Sequence, residues 1–386
     1  MTNQAANTGP CAGIRVIDAS TIVAGPYGSQ ILADLGAEVI KLESATGDVM
    51  RFSPPAYKGM TTYYTQVNRG KKSFEVNLKD AADIARVHEL VKISDVFLEN
   101  SRPGVMDRLG LGYETLKAIN DRLIYVSVNG FGDGNPSSGR PAYDNVIQGL
   151  VGYMPEQGRE LGARAILNPA ADKITAIWAA NSTLAALLHR SMTDGKGQRV
   201  VVNMTTAFAA YILPECMGEH TFKDSGLANL PPRPVGAYNA LATSDGNVIG
   251  LILQPAQFQN FCDAIGRTDL KTDERFKDSM GLVYNAATLY EMVADDVRKL
   301  TTAEFLSRMN EKGVPFGRVN TVRDFMNSDE ARHAKSYVDI EDPEFGPIRL
   351  LNYPAAFERT PAGPRTRAPK LGEHNAEILA LIEKSK

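Results

Sequence analysis

Short apolar runs alternate with amphipathic stretches through residues 14–130. The apolar runs are rich in Val, Ile and Phe and are typical of strands, whereas the stretches between them have the spacing of helices. Strands are predicted at 14–18, 38–43, 72–78, 95–99 and 123–128, with helices at 30–36 and 80–93. Because strands that alternate with helices pair in parallel, the pattern predicts an α/β fold with a Rossmann-like, doubly wound sheet.

A long apolar stripe follows Asp172. Its members recur at steps of three and four residues and predict a helix with one buried face. They are Ile174, Ile177, Trp178, Leu184, Leu187 and Leu188. Pro169 and Gly195 mark the start and the end. Asp172 then lies in the first turn, where free amides and the helix dipole favour an ionised carboxylate. Such a residue either caps the helix or, beside a pocket, serves as a nucleophile.

The pattern changes after residue 200. Residues 200–225 have no clear period and are interpreted as a linker. Asp245 followed by Gly246 predicts a hairpin, and helices and short strands follow to residue 328. These elements predict a small α+β domain over 225–325. After a second linker at 325–335, the Pro-rich tail is expected to return to the first domain. The large Rossmann-like domain would then comprise 1–200 and 330–386.

Composition and charge exclude several classes of protein. The 386-residue chain has a net charge of −3, which argues against nucleic acid or an anionic membrane as a partner. Cys11, Cys216 and Cys262 are far apart, and the five histidines have no metal-ligand spacing. We therefore expect no metal site and no disulfide. Together with a polar N-terminus, this predicts a cytoplasmic protein.

Two loops concentrate positive charge near the ends of predicted strands. Residues 68–72 (Asn-Arg-Gly-Lys-Lys) include Arg69 and Lys72, and residues 100–104 (Asn-Ser-Arg-Pro-Gly) include Asn100 and Arg102, with Arg108 one turn further on. Either loop alone is compatible with a solvated basic turn. Arginine forks and lysine charges are also the groups that bind phosphate, so two such loops predict a site for a long polyphosphorylated ligand.

The glycines after the first strand do not form a dinucleotide fingerprint. Gly25 and Gly28 lack a third glycine, and Pro26 replaces an amide that a phosphate needs. A tight strand-to-helix turn is the better interpretation. In the loop 139–145, Tyr143 is a candidate hydrogen-bond donor to a substrate oxygen. Asp144 is interpreted as a cap for a helix at 145–150.

Taken together, these motifs resemble the class III CoA-transferases, which include formyl-CoA and carnitine CoA-transferases. The resemblance covers essentially the whole chain in order and is carried by the set of motifs. Matching segments are Gly25-Pro26, residues 32–43 (LADLGAEVIKLE), 68–73 (NRGKKS), 99–104 (ENSRPG), 130–132 (GFG), 140–144 (RPAYD), Asp172, 185–190 (AALLHR) and 195–198 (GKGQ).

The resemblance implies a mechanism and a set of site residues. Asp172 falls on the family's catalytic aspartate, which attacks an acyl-CoA to give an aspartyl anhydride and then an aspartyl-CoA thioester. Arg69, Lys72, Asn100 and Arg102 would contact CoA, which is a substrate and not a cofactor held at rest. Tyr143 would line the acyl pocket, and the second substrate would be a carboxylic acid acceptor. The family fold implies a homodimer of interlocked rings.

Two departures from the family pattern affect the expected substrate. Formyl-CoA transferases have a glutamine in the first loop where this chain has Val23, which argues against an oxalate-type substrate. They also have a run of glycines that shields the intermediate, and residues 234–238 lack it.

Two alternatives remain open at this stage. A related α-methylacyl-CoA racemase would need a histidine base where this chain has Tyr143, and a tyrosine with a pKa near ~10 is a poor base. A CoA-binding protein without turnover is the other alternative, and Asp172 argues against it.

Overall fold

The computed structural model describes residues 8–158, 161–223 and 239–385. Within the chain, Met1–Pro214 and His333–Lys386 form one compact unit, and Glu215–Arg332 form a second. The loop 234–238, where the sequence lacks the glycine run, lies outside the described residues. Assigning CoA binding to one domain stays a prediction.

A parallel sheet of six strands forms the centre of the first unit. Its strands are β1 Arg15–Ala19, β2 Glu38–Glu43, β5 Lys71–Glu75, β6 Val96–Glu99, β7 Ile124–Asn129 and β8 Arg199–Asn203, and a two-stranded ribbon is formed by β3 Ala56–Tyr57 and β4 Met60–Thr61. The order across the sheet is β5-β2-β1-β6-β7-β8, and every neighbouring pair is parallel. The predicted α/β fold with a central parallel sheet is confirmed. The order reverses between β1 and β6, as in the Rossmann arrangement.

Alternate strand residues enter two different cores, one on each face of the sheet. Val16, Val39 and Val96 belong to one core, whereas Ile17, Ile40 and Phe97 belong to the other. Helices cover both faces. They are α1 Ala24–Asp34, α2 Thr62–Asn68, α3 Ala81–Lys92, α4 Val105–Arg108, α5 Tyr113–Ile119, α6 Asp144–Leu150, α7 Tyr153–Gly158, α8 Ala170–Met192 and α9 Met204–Ile212, with a 3-10 turn at Val49–Phe52.

Helices α1 and α8 pack closely because Gly28 has no side chain. A Cβ on Gly28 would lie 3.1 Å from the carbonyl oxygen of Ala176 and 3.3 Å from the Cβ of Ala179. Helices in such a fold run antiparallel to the strands, so α1 and α8 both begin at the edge where the strands end. The first turn of α8, which contains Asp172, therefore faces the loops that follow the strands.

The second unit has its own aromatic core. The Asp245–Gly246 turn lies between β9 Leu241–Ala242 and β10 Asn247–Gly250, which pair antiparallel as predicted. Phe258, Phe261 and Phe305 are completely buried. Its other elements are α10 Gly218–Thr221, α11 Pro255–Ile265, α12 Ser279–Tyr284, α13 Ala286–Arg298, α14 Thr302–Glu311, β11 Phe316–Arg318, α15 Val322–Asn327 and α16 Asp329–His333, with 3-10 turns at Pro214–Cys216, Thr268–Thr272 and Glu274–Phe276.

The C-terminal residues pack on the same core as the N-terminal strands. They form the hairpin β12 Tyr337–Asp342 and β13 Gly346–Leu351, followed by α17 Asn375–Lys384. Ile378 and Ile382 of α17 are buried with Phe74 and Val87. The expectation that residues 200–225 are a linker is wrong for their first half. Strand β8 extends the sheet, and Met204 and Phe208 of α9 are buried, although their apolar spacing is too short to show a period.

No helix in the described ranges is long and apolar enough to cross a membrane.

Candidate active site

A cleft opens at the point where the strand order reverses. Loops that follow β1 and β6 separate there, as the Rossmann arrangement requires, and leave room for a ligand at the strand ends. The cavity has a volume of about 200 Å³. Its walls are formed by Thr21, Ile22, Val23, Ala24, Asn100, Ser101, Arg102, Pro103, Val128, Asn129, Gly130, Arg140, Pro141, Ala142, Tyr143, Asp172 and Met204.

Asp172 lies in the first turn of α8 and lines this cleft. Burial raises the pKa of the carboxyl, and the nearby charge of Asp144 raises it further, to about 7. The carboxyl is therefore partly ionised near neutral pH. It can act as a nucleophile in its ionised form, and the raised pKa makes it more basic than an ordinary aspartate.

Asp144 fixes the position of Asp172. One carboxylate oxygen, Oδ2, accepts the backbone N–H of Asp172 at 3.1 Å, and the other, Oδ1, accepts Nε2 of Gln148 at 2.5 Å. Gln148 is buried and also bonds the backbone at Ile166, at 2.8 Å. The interpretation of Asp144 as the cap of its own helix is wrong. Asp144 is the first residue of α6 and caps α8 instead.

The loop after β1 is held in an unusual conformation beside the cleft. Ile22 has a φ of 72°, a left-handed conformation that is costly for a β-branched residue. Asn100 bonds the loop twice, since its Oδ1 accepts the N–H of Thr21 at 2.9 Å and its Nδ2 donates to the Thr21 carbonyl at 2.8 Å. The N–H of Ile22 donates to the carboxylate of Asp48 at 3.2 Å. Side chains from two other loops thus fix this wall.

Buried ion pairs support the same loop from below. Lys41 Nζ lies 3.0 Å from Asp48 and donates to the carbonyl of Ser20 at 2.7 Å. Lys71 Nζ lies 2.8 Å from Asp18, and all four charged side chains are fully buried. Burial alone would raise the pKa of Asp18, but the charges of Lys71 and Lys41 hold it well below its usual range. The Asp18 carboxylate therefore stays ionised and keeps its ion pair with Lys71.

The structure brings five of the predicted site residues together. Val23, Asn100, Arg102, Tyr143 and Asp172 all line the cleft. Val23 precedes α1 and is buried, whereas Tyr143 precedes α6 and is 60% exposed. The side chain of Arg102 is exposed and makes no ion pair among the described residues. Arg108 lies beside Gly104 at the end of α4 and does not line the cleft.

Arg69 and Lys72 do not join this site. They lie where β5 begins, and parallel strands begin at the edge opposite to the one where they end. Arg69 is 4% exposed and pairs with Asp34 at 2.7 Å. Lys72 pairs with Glu38 and Glu377, each at 2.6 Å. The expectation that the two basic loops meet in one anion site is therefore wrong, since one loop precedes its strand and the other follows its strand.

Sequence reasoning missed Arg140, whose exposed side chain lines the cleft. Nothing in the spacing of the loop 139–145 distinguishes Arg140 from a solvated arginine. The sequence predicts Asp144 only as a cap, because its contact with Asp172 crosses 28 residues. Arg102 and Arg140 give the cleft two cations for anionic groups of a ligand.

Among residues 8–158, 161–223 and 239–385, no group of three or more His, Cys, Asp and Glu side chains is arranged to hold a metal ion.

Comparisons with known proteins, by sequence and by structure, point to one family. The family model described as CoA-transferase family III matches residues 11–375. The succinate–glutarate CoA-transferase of Agrobacterium fabrum is 30% identical over 397 residues, covering 99% of this chain and 98% of the relative. The acetyl-CoA:oxalate CoA-transferase of Acetobacter aceti is 32% identical, covering 98% and 97%. The crystal structure of a CAIB/BAIF family protein from Brucella suis superposes with a TM-score of 0.84 at 30% identity, covering 97% and 100%.

Proposed function

The chain belongs to CoA-transferase family III, and from that premise we propose that Asp172 is its nucleophile. The protein is an enzyme that transfers CoA between carboxylic acids, with acyl-CoA thioesters as substrates. We therefore prefer CoA transfer to the two alternatives, an α-methylacyl-CoA racemase and a CoA-binding protein without turnover. The observation that carries the mechanism is the first turn of α8, where the Asp172 carboxyl faces a cleft and its backbone is fixed by Asp144.

The proposed reaction proceeds in four steps. A carboxylate oxygen of Asp172 attacks the thioester carbon, the C–S bond breaks, and CoA leaves as a thiolate. The thiolate then attacks the aspartyl carbonyl of the anhydride and releases the first acid, which leaves an aspartyl-CoA thioester. The acceptor carboxylate attacks that thioester, the C–S bond breaks, and CoA leaves as a thiolate from a second anhydride. The thiolate finally attacks the acceptor's acyl carbon, the anhydride C–O bond breaks, and the Asp172 carboxylate is released. Each step exchanges a carboxylate and a thiolate, so no strong general base is needed.

The electrostatics of the cleft suit these steps. Burial makes the Asp172 carboxylate a better nucleophile than an exposed aspartate, and the negative charge of Asp144 disfavours a second bound anion nearby. The charge of Asp172 itself adds to this repulsion. When Asp172 is acylated, its charge disappears and the total repulsion of an anion falls. An arriving carboxylate or thiolate is therefore better accommodated after acylation than before.

CoA binding is proposed for the cations beside the loop after β6. Arg102 lines the cleft and has a free guanidinium among the described residues, while Arg108 lies next to the same loop. Asn100 lies in this loop and holds it against the loop after β1 through its two hydrogen bonds to Thr21. The planar fork of arginine matches a phosphate group, so these arginines would bind the diphosphate or the ribose phosphate of CoA. Arg69 and Lys72 are engaged in ion pairs elsewhere and have no part in this proposal.

Short dicarboxylic acids are the proposed substrates. The relatives include enzymes named for succinate with glutarate and for succinyl-CoA with mesaconate. A dicarboxylate needs a cation for the carboxylate that does not react, and Arg140 in the cleft wall is suited to that contact. A screen of succinyl-CoA against glutarate, mesaconate, oxalate and a monocarboxylate tests the class. Equal activity with the monocarboxylate would contradict it.

A homodimer, in the interlocked form that the resemblance implies, is also proposed. Helix α8 leaves Ile177, Trp178, Leu188 and Met192 between 43% and 75% exposed, and Tyr211 on α9 is 56% exposed. Apolar side chains at this density are typical of a covered interface. Light scattering combined with size-exclusion chromatography tests it, and a monomer at micromolar concentration would refute it.

Trapping the intermediate tests the mechanism directly. The enzyme is incubated with succinyl-CoA, treated with borohydride or hydroxylamine, digested, and examined by peptide mass spectrometry. The modification is expected on Asp172 alone. A modification mapped to another residue would refute the assignment, while the activity screen would still report CoA transfer.

A further inference from the structure

Two adjacent tyrosines on α2 lie in different surroundings. Tyr64 is fully buried, and its hydroxyl bonds Arg51 at 2.5 Å and Glu43 at 3.4 Å. Tyr63 is half-buried, yet its hydroxyl oxygen is buried and has no hydrogen-bond partner in the described part of the chain. A buried hydroxyl without a hydrogen-bond partner is destabilising, so such a group calls for an explanation.

The Tyr63 side chain packs in the same cluster as a residue of the cleft wall. Its ring packs against the same buried cluster as Ile22, which lines the cleft. Burial raises the pKa of Tyr63 to about 12, and the charges of Asp172 and Asp144 contribute to that increase. The hydroxyl therefore keeps its proton at neutral pH and acts as a donor. It bonds neither carboxylate.

We propose that Tyr63 is a further catalytic residue whose hydroxyl donates a hydrogen bond to the oxygen of the acyl group transferred to Asp172. This inference rests on the proposed function, because the acyl group reaches Asp172 only in that mechanism. A donor without a partner in the described part of the chain is available to bond an acyl oxygen, and the substrate would then satisfy the hydroxyl.

The donor acts at the step in which charge develops. When an Asp172 oxygen bonds to the thioester carbon, the C=O electron pair moves to the oxygen and forms an oxyanion. The Tyr63 O–H bonds to that oxyanion without transferring its proton. The electron pair then returns to the carbon–oxygen bond, the C–S bond breaks, and CoA leaves as a thiolate. A donor that bonds the oxyanion more strongly than the substrate carbonyl raises kcat and not only affinity.

Tyr143 is less suited to this role, although it also lines the cleft. Its ring is 60% exposed, so water competes for its hydroxyl. A buried donor with a fixed direction requires no reorganisation when the oxyanion forms, and its hydrogen bond is stronger in the drier surroundings.

The test is Tyr63→Phe, which removes the hydroxyl and keeps the ring. The release of CoA thiol in the first turnover with succinyl-CoA is expected to slow about 100-fold. CoA affinity, measured by calorimetry, should be unchanged. Because the lost hydroxyl was unpaired, the Tm should stay the same or rise. Tyr57→Phe, on an exposed ring of the β3–β4 ribbon, is the matched control and should keep the wild-type rate.

Two results would overturn the inference. A first-turnover rate in Tyr63→Phe equal to that of the wild type would show that the hydroxyl makes no contact with the oxyanion. A slower rate together with a lower Tm would show a structural role. Failure of the proposed function is distinguishable, because the wild-type enzyme would then yield no adduct on Asp172 in the trapping experiment.

Discussion

The backbone N–H of Asp172 donates to Oδ2 of Asp144 at 3.1 Å, across the gap between α8 and α6. This single contact has two consequences. It caps the first turn of α8 and so fixes the residue that bears the nucleophile. It also places a second negative charge beside the Asp172 carboxyl, which together with burial raises its pKa to about 7. Position and reactivity of the nucleophile therefore depend on the same neighbour.

Replacement of the nucleophile should abolish transfer and leave CoA binding intact. In Asp172→Asn the carboxylate that attacks the thioester is missing, while Arg102 and Arg108 are unchanged. We expect turnover at background level and a wild-type Kd for CoA by calorimetry. Asp194→Asn, an exposed carboxylate just beyond the same helix, is the control and should keep full activity. Substantial turnover in Asp172→Asn would remove the mechanism.

The pH profile should report the raised pKa of Asp172. Only the ionised carboxylate attacks, so kcat/KM is expected to rise with pH, to be half-maximal near pH 7 and to level off above it. In Asp144→Asn the like charge is lost, the pKa of Asp172 falls, and the rising limb moves to lower pH. Burial remains, so the limb should not reach the value of an exposed aspartate. Steady-state rates from pH 5 to 9 provide the measurement, and an unchanged limb would contradict the coupling of the two carboxyls.

The ionisation of Asp172 should also change the free energy of unfolding, and the raised pKa determines the direction of that change. The Asp172 pKa is raised from 3.8 in an exposed chain to about 7 in the fold, so its favourable contribution is complete below pH 3.8 and is lost as the pH rises through 7. Asp172→Asn should therefore be more stable than the wild type at pH 8, by on the order of 1–3 kcal/mol after allowance for solvent screening. Denaturant unfolding at pH 8 and pH 4 tests this, because the difference should disappear at pH 4.

Two arginine substitutions should distinguish a residue that stabilises the fold, Arg69, from a residue that binds CoA, Arg102. Arg69→Ala leaves Asp34 buried without its partner and should destabilise the fold by about 3–5 kcal/mol, with an unchanged Kd for CoA in the protein that remains folded. Arg102→Ala should do the opposite, raising the Kd for CoA with little change in Tm. Arg86→Ala, in an exposed pair with Asp83, is the stability control. Weaker CoA binding in Arg69→Ala would return that residue to the ligand site.

Local patterns in the sequence predict most of the fold. Strand and helix periods in residues 14–130 predict the parallel sheet, and the Asp245–Gly246 turn predicts the hairpin of the second unit. These features depend on neighbours a few residues apart, so a single sequence displays them. The apolar spacing after Asp172 likewise predicts α8 to within a few residues, but the predicted buried face is wrong for Ile177, Trp178 and Leu188, which are 43–60% exposed in the single chain.

The error on the two basic loops arises because their composition does not show at which edge of the sheet each loop lies. Asn68–Lys72 and Asn100–Gly104 look alike as basic loops, but one precedes β5 and the other follows β6, so they lie at opposite edges. Charge and composition do not distinguish a loop before a strand from a loop after it. The folded protein then pairs Arg69 with Asp34, a contact across 35 residues.

The sequence by itself determined that Asp172 opens a long helix in an α/β protein, because helix signals and apolar spacing are local. Only the tertiary structure decided what surrounds that carboxyl. Asp144, Tyr63 and Arg140 come from separate elements, and it is the packing of those elements on the sheet that sets the burial and charge on which the reactivity of Asp172 depends.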